Sequence, residues 1–371
     1  MNILLLNSIP YTAENNVIPQ VDSIKDCMIY NFGLGFKELG HKVTLVTNEE
    51  YKPRKEEQYD FEVIFLPSAM KKIFQPNVLP FQPQLWNFLR KNKDHFDIIS
   101  SGAAFTFTSL FASLIAPQKT IIWHELAAHN RKMKSIPSRF WYNVVARLFF
   151  RNIPVVARSE EAKSFISKYC PNTVNETVEH GVNLQKFHFS KTKKRQFIVV
   201  SQLIPRKNIE SIIEKFSRFV AKPEYTDFLL IIAGRGELEN KLKTQAKELD
   251  IANNVQFVGF KPHSELNNLV AESMAMLIDT KQDLNMVSVP ESVVSATPIV
   301  INLVPYTAIM IDKHQLGVDK ADWNEDDLQE IVKNNAFYVE NCITMRENLS
   351  TKYSAQKLIE CFNNYYKAND L

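Results

Sequence analysis

Strand-like and helix-like segments alternate along most of this chain, and that alternation constrains the fold more than any other feature of the sequence. In the first half, apolar runs of strand length occupy residues 2–7, 42–47, 61–67, 96–100, 119–124 and 153–158. Segments long enough for a helix separate these runs, as residues 23–39 do. Strands that alternate with helices form βαβ units, which build a parallel sheet.

The alternation restarts after a lysine-rich break, KTKKRQ. The later strand-like runs are residues 196–203, 227–234, 254–260, 275–279 and 298–302. A length of 371 residues also suits two domains better than one core. We therefore predict an α/β protein with two Rossmann-like, doubly wound domains that face each other across a cleft. The predicted ranges are 1–188 and 189–352, and a last helix, 353–371, is expected to pack back toward the first domain.

Composition excludes several classes of protein. Apolar residues make up 45% of the chain and charged residues 23%, which is typical of a globular protein and not of a disordered one. The four cysteines include no C-x-x-C pair, so the sequence predicts neither a zinc cluster nor a disulfide framework and favours the reducing cytoplasm. The first residues, MNILLLNSIP, lack the basic start and cleavage site of a signal peptide.

One segment is long enough to span a membrane. Residues 98–118 carry no charged side chain. However, serine and threonine are frequent there, and Gly102 follows a strand-like run. We predict a buried strand followed by a buried helix, and no spanning helix.

Charged side chains gather where the predicted strands of the second domain end. Arg206 and Lys207 follow one strand and directly precede a helix, whose amino end also attracts anions. Asp283 and Glu291 follow another strand, and glycines follow two more, at 234, 236 and 259. Open α/β sheets bind ligands at the carboxyl ends of their strands. A guanidinium and an ammonium beside free backbone N–H groups would form a diphosphate clamp.

These segments form an ordered series that resembles a known family. The series is HGVNLQKF (180–187), SQLIPRKN (201–208), AGRGE (233–237), VGFKP (258–262) and D-x7-E (283–291). It resembles the retaining GT-B glycosyltransferases, in particular glycosyltransferase family 4. The resemblance is close from about residue 178 to residue 302, whereas the first domain resembles the family only in its pattern of strands and helices.

The resemblance implies a role for each matching residue. Arg206 and Lys207 would bind the diphosphate of a sugar nucleotide, Asp283 would face the transferred sugar, and Glu291 would bind the ribose. His124 matches a histidine near the transferred sugar, although an ordinary polar strand end explains it almost as well. The remaining implied donor-binding residues are Gly234, Phe260, Lys261, Asn285, Met286 and Val287.

The implied function is a hexosyltransferase that moves a sugar, with retention, from a nucleoside diphosphate to a glycan or lipid-linked acceptor in polysaccharide or glycoconjugate biosynthesis. The chain has no Asp-x-Asp motif, so we expect no metal and no cofactor. Three departures from the family leave alternatives open: Asp283 replaces a glutamate, Leu284 and Met286 replace glycines, and the first loop offers Asn15 and Asn16 in place of glycine. The alternatives are a sugar-nucleotide epimerase of the same fold and a non-catalytic sugar-nucleotide-binding scaffold.

The segment WHELAAHN suggests a zinc-protease helix, but its spacing excludes one. His124 and His129 are five residues apart instead of four, which places them on different faces of a helix. We therefore expect no zinc there.

A basic, aromatic stretch lies between Leu126 and Ser159. It holds seven cationic residues and no acid, interleaved with five aromatic residues. The cationic residues are Arg131, Lys132, Lys134, Arg139, Arg147, Arg151 and Arg158, and the aromatic ones are Phe140, Trp141, Tyr142, Phe149 and Phe150. Such a stretch suits an anionic membrane or an anionic acceptor, and contact with a membrane would place the protein at the inner face of the plasma membrane. The same stretch is equally typical of an ordinary helical segment whose aromatic side chains lie in the core and whose charged side chains lie in solvent. No nucleic-acid motif accompanies the charge, so nucleic acid is not expected.

Overall fold

A computed structural model describes residues 1–11, 18, 21–126, 136–283 and 286–369. The chain divides into two compact units. The first comprises Met1–Asn183 and Ser350–Leu371, and the second comprises Leu184–Leu349. The predicted boundaries, after residues 188 and 352, lie a few residues beyond these.

The first unit is built around a seven-stranded parallel sheet in the order β3-β2-β1-β4-β5-β6-β7. Its strands are β1 (Asn2–Leu6), β2 (Lys42–Asn48), β3 (Glu62–Leu66), β4 (Ile98–Gly102), β5 (Thr120–His124), β6 (Val155–Ala157) and β7 (Thr173–Thr177). Its helices are α1 (Met28–Glu38), α2 (Pro83–Asn92), α3 (Phe107–Ile115), α4 (Ile136–Phe140), α5 (Arg147–Phe149) and α6 (Glu160–Ile166). A π-helical turn, Trp141–Ala146, joins α4 to α5.

The second unit holds a six-stranded parallel sheet in the order β10-β9-β8-β11-β12-β13. Its strands are β8 (Gln196–Val200), β9 (Leu229–Ala233), β10 (Val255–Gly259), β11 (Ala275–Ile278), β12 (Ile299–Ile301) and β13 (Gly317–Asp319). Its helices are α7 (Ile209–Val220), α8 (Glu239–Glu248), α9 (His263–Ala271), α10 (Ser288–Val294), α11 (Ala308–His314), α12 (Glu325–Lys333) and α13 (Asn335–Met345). The prediction of two Rossmann-like units is confirmed.

The strand order of the second sheet determines where a ligand can bind. The order reverses between β8 and β11, which are direct neighbours although two strands separate them in sequence. The loops that leave their carboxyl ends depart in opposite directions and open a crevice, the usual ligand position in open α/β sheets. Arg206 and Lys207 follow β8, and Asp283 follows β11.

The last helix, α14 (Thr351–Asn369), belongs to the first unit and packs on α1. Gly35 of α1 makes this contact close, because a Cβ atom there would lie 2.3 Å from the carbonyl oxygen of Thr351. Any side chain at residue 35 would push the start of α14 away.

The uncharged segment 98–118 forms β4 and α3, as expected. No helix in the described part of the chain is both long enough and apolar enough to cross a bilayer. Two strands were missed: β7 is polar and half-exposed, and β13 has only three residues. In addition, α1 begins at Met28, five residues after the predicted start at residue 23.

Candidate functional site

The connection between β8 and α7 fixes the backbone that carries Arg206 and Lys207. Pro205–Lys207 form one turn of 3₁₀ helix, which Pro205 favours because its φ is fixed. Asn208 follows with φ +51°, a left-handed conformation that asparagine tolerates, and α7 then begins. The two cations therefore lie directly before the amino end of a twelve-residue helix.

Both cations contact the same carboxylate, Asp283. Arg206 Nη1 donates to Asp283 Oδ1 at 2.9 Å, and Lys207 Nζ donates to Oδ2 at 2.6 Å. The side chains of Lys207 and Asp283 are only 13% and 14% exposed, whereas that of Arg206 is 42% exposed. The structure thus brings three of the predicted site residues together in one cluster.

Thr280 and Asn302 hold this cluster in place. The Thr280 hydroxyl lies 2.9 Å from both Asp283 Oδ2 and the Arg206 carbonyl oxygen. Asn302 Nδ2 donates to the Thr280 carbonyl at 2.7 Å, and both residues are buried. Sequence reasoning missed them, although Asn302 directly follows the apolar strand β12 and Thr280 lies two residues after the end of β11.

The charge state of Asp283 follows from these contacts. Burial would raise its pKa, but hydrogen bonds from Lys207 and Thr280 and the positive charge of Lys207 outweigh burial and lower the pKa below its usual value. Asp283 is therefore an anion at neutral pH, and it offsets one of the two positive charges beside it.

Glu291 lies apart from this cluster, on α10. It shares no hydrogen bond or ion pair with Arg206, Lys207 or Asp283 in the described structure. It lines a small cavity together with Val200, Asn267, Met276 and Ser295. Burial raises the pKa of its carboxyl group to about 7. A carboxylate at this position is available to accept hydrogen bonds from a ligand.

Gly234 is required by the backbone of the unit itself. Its φ is +149°, and a Cβ atom there would lie 1.8 Å from the carbonyl oxygen of Ser201. The loops after β8 and β9 therefore touch at this glycine, so residue 234 helps to shape the site whether or not it contacts a ligand.

The other predicted donor-binding residues differ in exposure. Phe260 is 68% exposed, and Lys261 forms an ion pair with Glu265 at 2.9 Å. Val287 is exposed and Met286 is buried. Asn285 lies outside the described residues, as do Asn15, Asn16 and Leu284.

His124 lies in the first unit, at the end of β5, and it is completely buried. The backbone N–H of Ala104 donates to its Nδ1 at 3.1 Å. Burial, and to a smaller extent the charge of Arg158, lower its pKa to about 3, so the ring is neutral. Its role near a sugar remains a prediction. His129 is outside the described residues, and no group of three or more potential metal ligands occurs within them.

The basic stretch separates into two parts. Arg158 is held at the sheet edge, where it pairs with Glu125, contacts His180 Nδ1 at 3.3 Å and lies over the Trp123 ring. In contrast, Arg139, Arg147 and Arg151 are exposed.

Among the aromatic residues, Trp141, Tyr142 and Phe150 are buried, whereas Phe140 and Phe149 are exposed. Residues 127–135, which include Arg131, Lys132 and Lys134, are outside the described residues.

Comparison with known families agrees with this geometry. Residues 28–186 match the model described as Glycosyltransferase Family 4, and residues 183–334 match the model described as Glycosyl transferases group 1. The chain belongs to glycosyltransferase family 4. The family resemblance predicted from the sequence is therefore confirmed, and the two Rossmann-like units are those of the GT-B fold of this family.

A relative that matches part of this chain is distant in sequence. Alpha-monoglucosyldiacylglycerol synthase of Streptococcus pneumoniae is 22% identical over 179 residues, which are 44% of this chain and 40% of that protein. The match thus spans less than half the length of that relative.

Two solved structures are similar to this chain over nearly its whole length. A glycosyltransferase from Rickettsia africae has a TM-score of 0.67 at 15% identity, covering 99% of this chain and 98% of that chain. Anabaena HepE in complex with UDP has a TM-score of 0.64 at 12% identity, covering 98% and 100%. At such identities the likeness shows the fold.

Proposed function

We propose that this protein is a retaining hexosyltransferase that moves a sugar from a nucleoside diphosphate to a glycan or lipid-linked acceptor, in polysaccharide or glycoconjugate biosynthesis, without a metal or another cofactor. The observation that carries the proposal is the pair of adjacent cations, Arg206 and Lys207, before the amino end of α7 and beside the point where the strand order reverses. Family membership, a relative named alpha-monoglucosyldiacylglycerol synthase and a structural neighbour solved with UDP support it.

The two cations suit the chemistry of the leaving group. When the bond between the sugar and the diphosphate breaks, negative charge grows on the phosphate oxygens. A guanidinium, an ammonium and the first N–H groups of α7 are fixed donors that stabilise such charge, each contributing roughly 2 to 4 kcal/mol in comparable sites. Fixed cations perform the task that a divalent metal performs in other transferases, which is why we propose a metal-independent reaction.

The test is a panel of nucleoside-diphosphate sugars, scored first by thermal shift and then by release of the nucleoside diphosphate. At least one donor should raise the melting temperature and be turned over, and Arg206→Ala should abolish the turnover. Donor epimerisation without transfer would favour an epimerase, and binding without nucleotide release would favour a scaffold. Either result contradicts the proposal.

We further propose that Glu291 accepts hydrogen bonds from the ribose hydroxyls, and a pH dependence follows. In the protein without ligand, the pKa of the Glu291 carboxyl group is about 7. Below that pH the group must therefore lose a proton before it accepts hydrogen bonds from the ribose. Affinity for the nucleoside diphosphate should therefore rise as the pH increases toward 7 and level off above it. Titration calorimetry from pH 5.5 to 8.5 measures this.

The control is Glu291→Gln, which has no titrating group at this position. It should bind more weakly at pH 8 and lose the Glu291 component of the pH dependence, while the nucleotide's own ionisation remains in both proteins. Identical pH profiles for the two proteins would exclude Glu291 as a titrating ligand.

We also propose that the first unit contacts an anionic membrane, which would place the protein peripherally at the inner face of the plasma membrane. Four exposed apolar side chains recur every four residues along the helical segment 136–149, on one side of it. They are Ile136, Phe140, Val144 and Leu148, at 82%, 60%, 37% and 66% exposure. Exposed Arg139, Arg147 and Arg151 accompany them. An apolar stripe flanked by arginines is typical of a helix that lies in the membrane interface.

Co-sedimentation with phosphatidylcholine vesicles that contain phosphatidylglycerol tests this contact. The double variant Phe140→Glu, Leu148→Glu should bind about tenfold more weakly or worse, because two apolar side chains no longer insert. Phe337→Glu, at an exposed phenylalanine of the second unit, is the matched control and should bind as the wild type does. Equal binding of all three proteins, or no binding at low salt, would contradict the proposal.

A further inference from the structure

Asp283 forms hydrogen bonds with both cations, Arg206 and Lys207, at the same time. We call these two cations the Arg206–Lys207 clamp. Each of its two oxygens accepts one charge-assisted hydrogen bond, Oδ1 from Arg206 at 2.9 Å and Oδ2 from Lys207 at 2.6 Å. Two oxygens on one atom, each paired with a different cation, are also what a phosphate group presents to such a clamp. The carboxylate thus occupies the donors that a diphosphate needs.

Contacts between the loop after β11 and the loop after β8 fix the position of Asp283. The Thr280 hydroxyl contacts Oδ2 and also the Arg206 carbonyl oxygen, so it links the loop after β11 to the loop after β8. The backbone N–H of Lys281 strengthens this link by donating to the same carbonyl at 2.8 Å. The contact between the acid and the cations is therefore built into the way the two loops meet.

A resident carboxylate has a consequence for selectivity. It carries one negative charge, whereas a diphosphate carries two or more and offers more oxygens. An incoming anion must therefore gain more from Arg206, Lys207 and α7 than Asp283 already does. A diphosphate meets this requirement better than a single phosphate group.

We propose that Asp283 is a resident anion that holds the Arg206–Lys207 clamp when no donor is bound and is exchanged for the diphosphate on binding. This inference rests on the proposed function. It makes Asp283 a residue that sets specificity for diphosphates over single phosphate groups, in addition to any contact with the sugar.

The experiment compares anion binding by wild type and Asp283→Asn, with inorganic pyrophosphate and inorganic phosphate as probes in titration calorimetry. These probes report on the clamp without depending on the base or the sugar. The variant should bind pyrophosphate about tenfold more tightly, because one charge-assisted contact no longer competes. Phosphate should gain more than pyrophosphate does, so the preference for pyrophosphate over phosphate should be smaller in the variant than in the wild type.

Asp227→Asn is the matched control. It also removes one negative charge from the second unit, but Asp227 pairs with Arg195 beside the amino ends of β8 and β9, at the opposite edge of the sheet. It should bind both probes as the wild type does. If Asp283→Asn does not fold, Asp283→Ala tests the same exchange.

The outcomes separate this inference from the function on which it rests. Unchanged or weaker pyrophosphate binding by the Asp283 variants, with Lys207→Ala weaker than wild type, overturns the exchange and leaves the donor site intact. A gain of equal size in Asp227→Asn also overturns it, since general charge would then explain the effect. No pyrophosphate binding by any protein overturns both.

Discussion

Replacing Lys207 with alanine is expected to lower the rate of glycosyl transfer by about 10²-fold or more, since the ammonium is one of the fixed donors that stabilise the leaving diphosphate. Affinity for the donor should fall as well, because Lys207 would contact the diphosphate before and during bond cleavage. Steady-state kinetics with the donor identified by the panel measures both effects.

The same substitution should have little effect on stability. Asp283 keeps its contacts with Arg206 and Thr280 when Lys207 is removed. Because Asp283 keeps these two partners, we expect a loss of about 1 to 2 kcal/mol, or roughly 3 to 6 °C in melting temperature. A large loss of stability with unaltered turnover would show that Lys207 is structural.

Lys222→Ala is the matched control for this prediction. Lys222 follows the carboxyl end of α7, the helix that begins beside Lys207, and pairs with Asp326 at 2.9 Å on the surface. This variant should retain wild-type turnover. If both alanine variants lost activity equally, the effect would come from the helix and not from the clamp.

The sequence predicted which loops carry the site but not how their side chains pair. Parallel strands place all their carboxyl ends at one edge, so Arg206, Lys207 and Asp283 could be assigned to that edge from strand positions alone. Their direct contact depends on β8 and β11 being neighbours, with Phe197 opposite Ala275. Neighbours separated by more than seventy residues leave no local pattern in the sequence.

Exposure was the other property that the sequence left open. The basic stretch allowed either core aromatics or an exposed apolar face, and the structure contains both, with Trp141 buried and Phe140 exposed. The π-helical turn in the middle of this segment changes the helical period, so a regular 3.6-residue pattern could not assign the faces. β7 was missed for a related reason, because a half-exposed, polar strand lacks the apolar run that identifies a buried one.

A buried ion pair beneath the site was also missed. Lys215 lies within α7 and Asp279 directly follows β11, and both side chains are only 8% exposed. Lys215 Nζ contacts Asp279 Oδ2 at 3.0 Å and lies 4.5 Å from the centre of the Trp323 ring. The Ser211 hydroxyl also donates to Asp279, at 2.6 Å. The sequence offered one signal of this buried pair, a lysine close to apolar residues in the segment ESIIEKF (210–216).

Lys215→Met is expected to destabilise the protein by about 3 to 5 kcal/mol, because it leaves the buried Asp279 carboxylate without its cation. Asp279 immediately precedes Thr280, so the loop that carries Asp283 should loosen along with it. Denaturant-induced unfolding measures the free-energy loss, and pyrophosphate titration measures the effect on the clamp. The surface variant Lys222→Ala should lose less than about 1 kcal/mol in the same assay.

The double variant Lys215→Met, Asp279→Leu separates an unpaired charge from lost packing. Replacing both members of a buried pair with apolar residues of similar volume is often neutral or stabilising. The double variant should therefore recover most of the stability that Lys215→Met loses. In it, two apolar side chains pack against each other in place of the ion pair and again support the loop that carries Thr280. A double variant as unstable as the single one would mean that the other contacts of Lys215, with Asp322 at 2.8 Å and with the Trp323 ring, hold α7 against the end of β11.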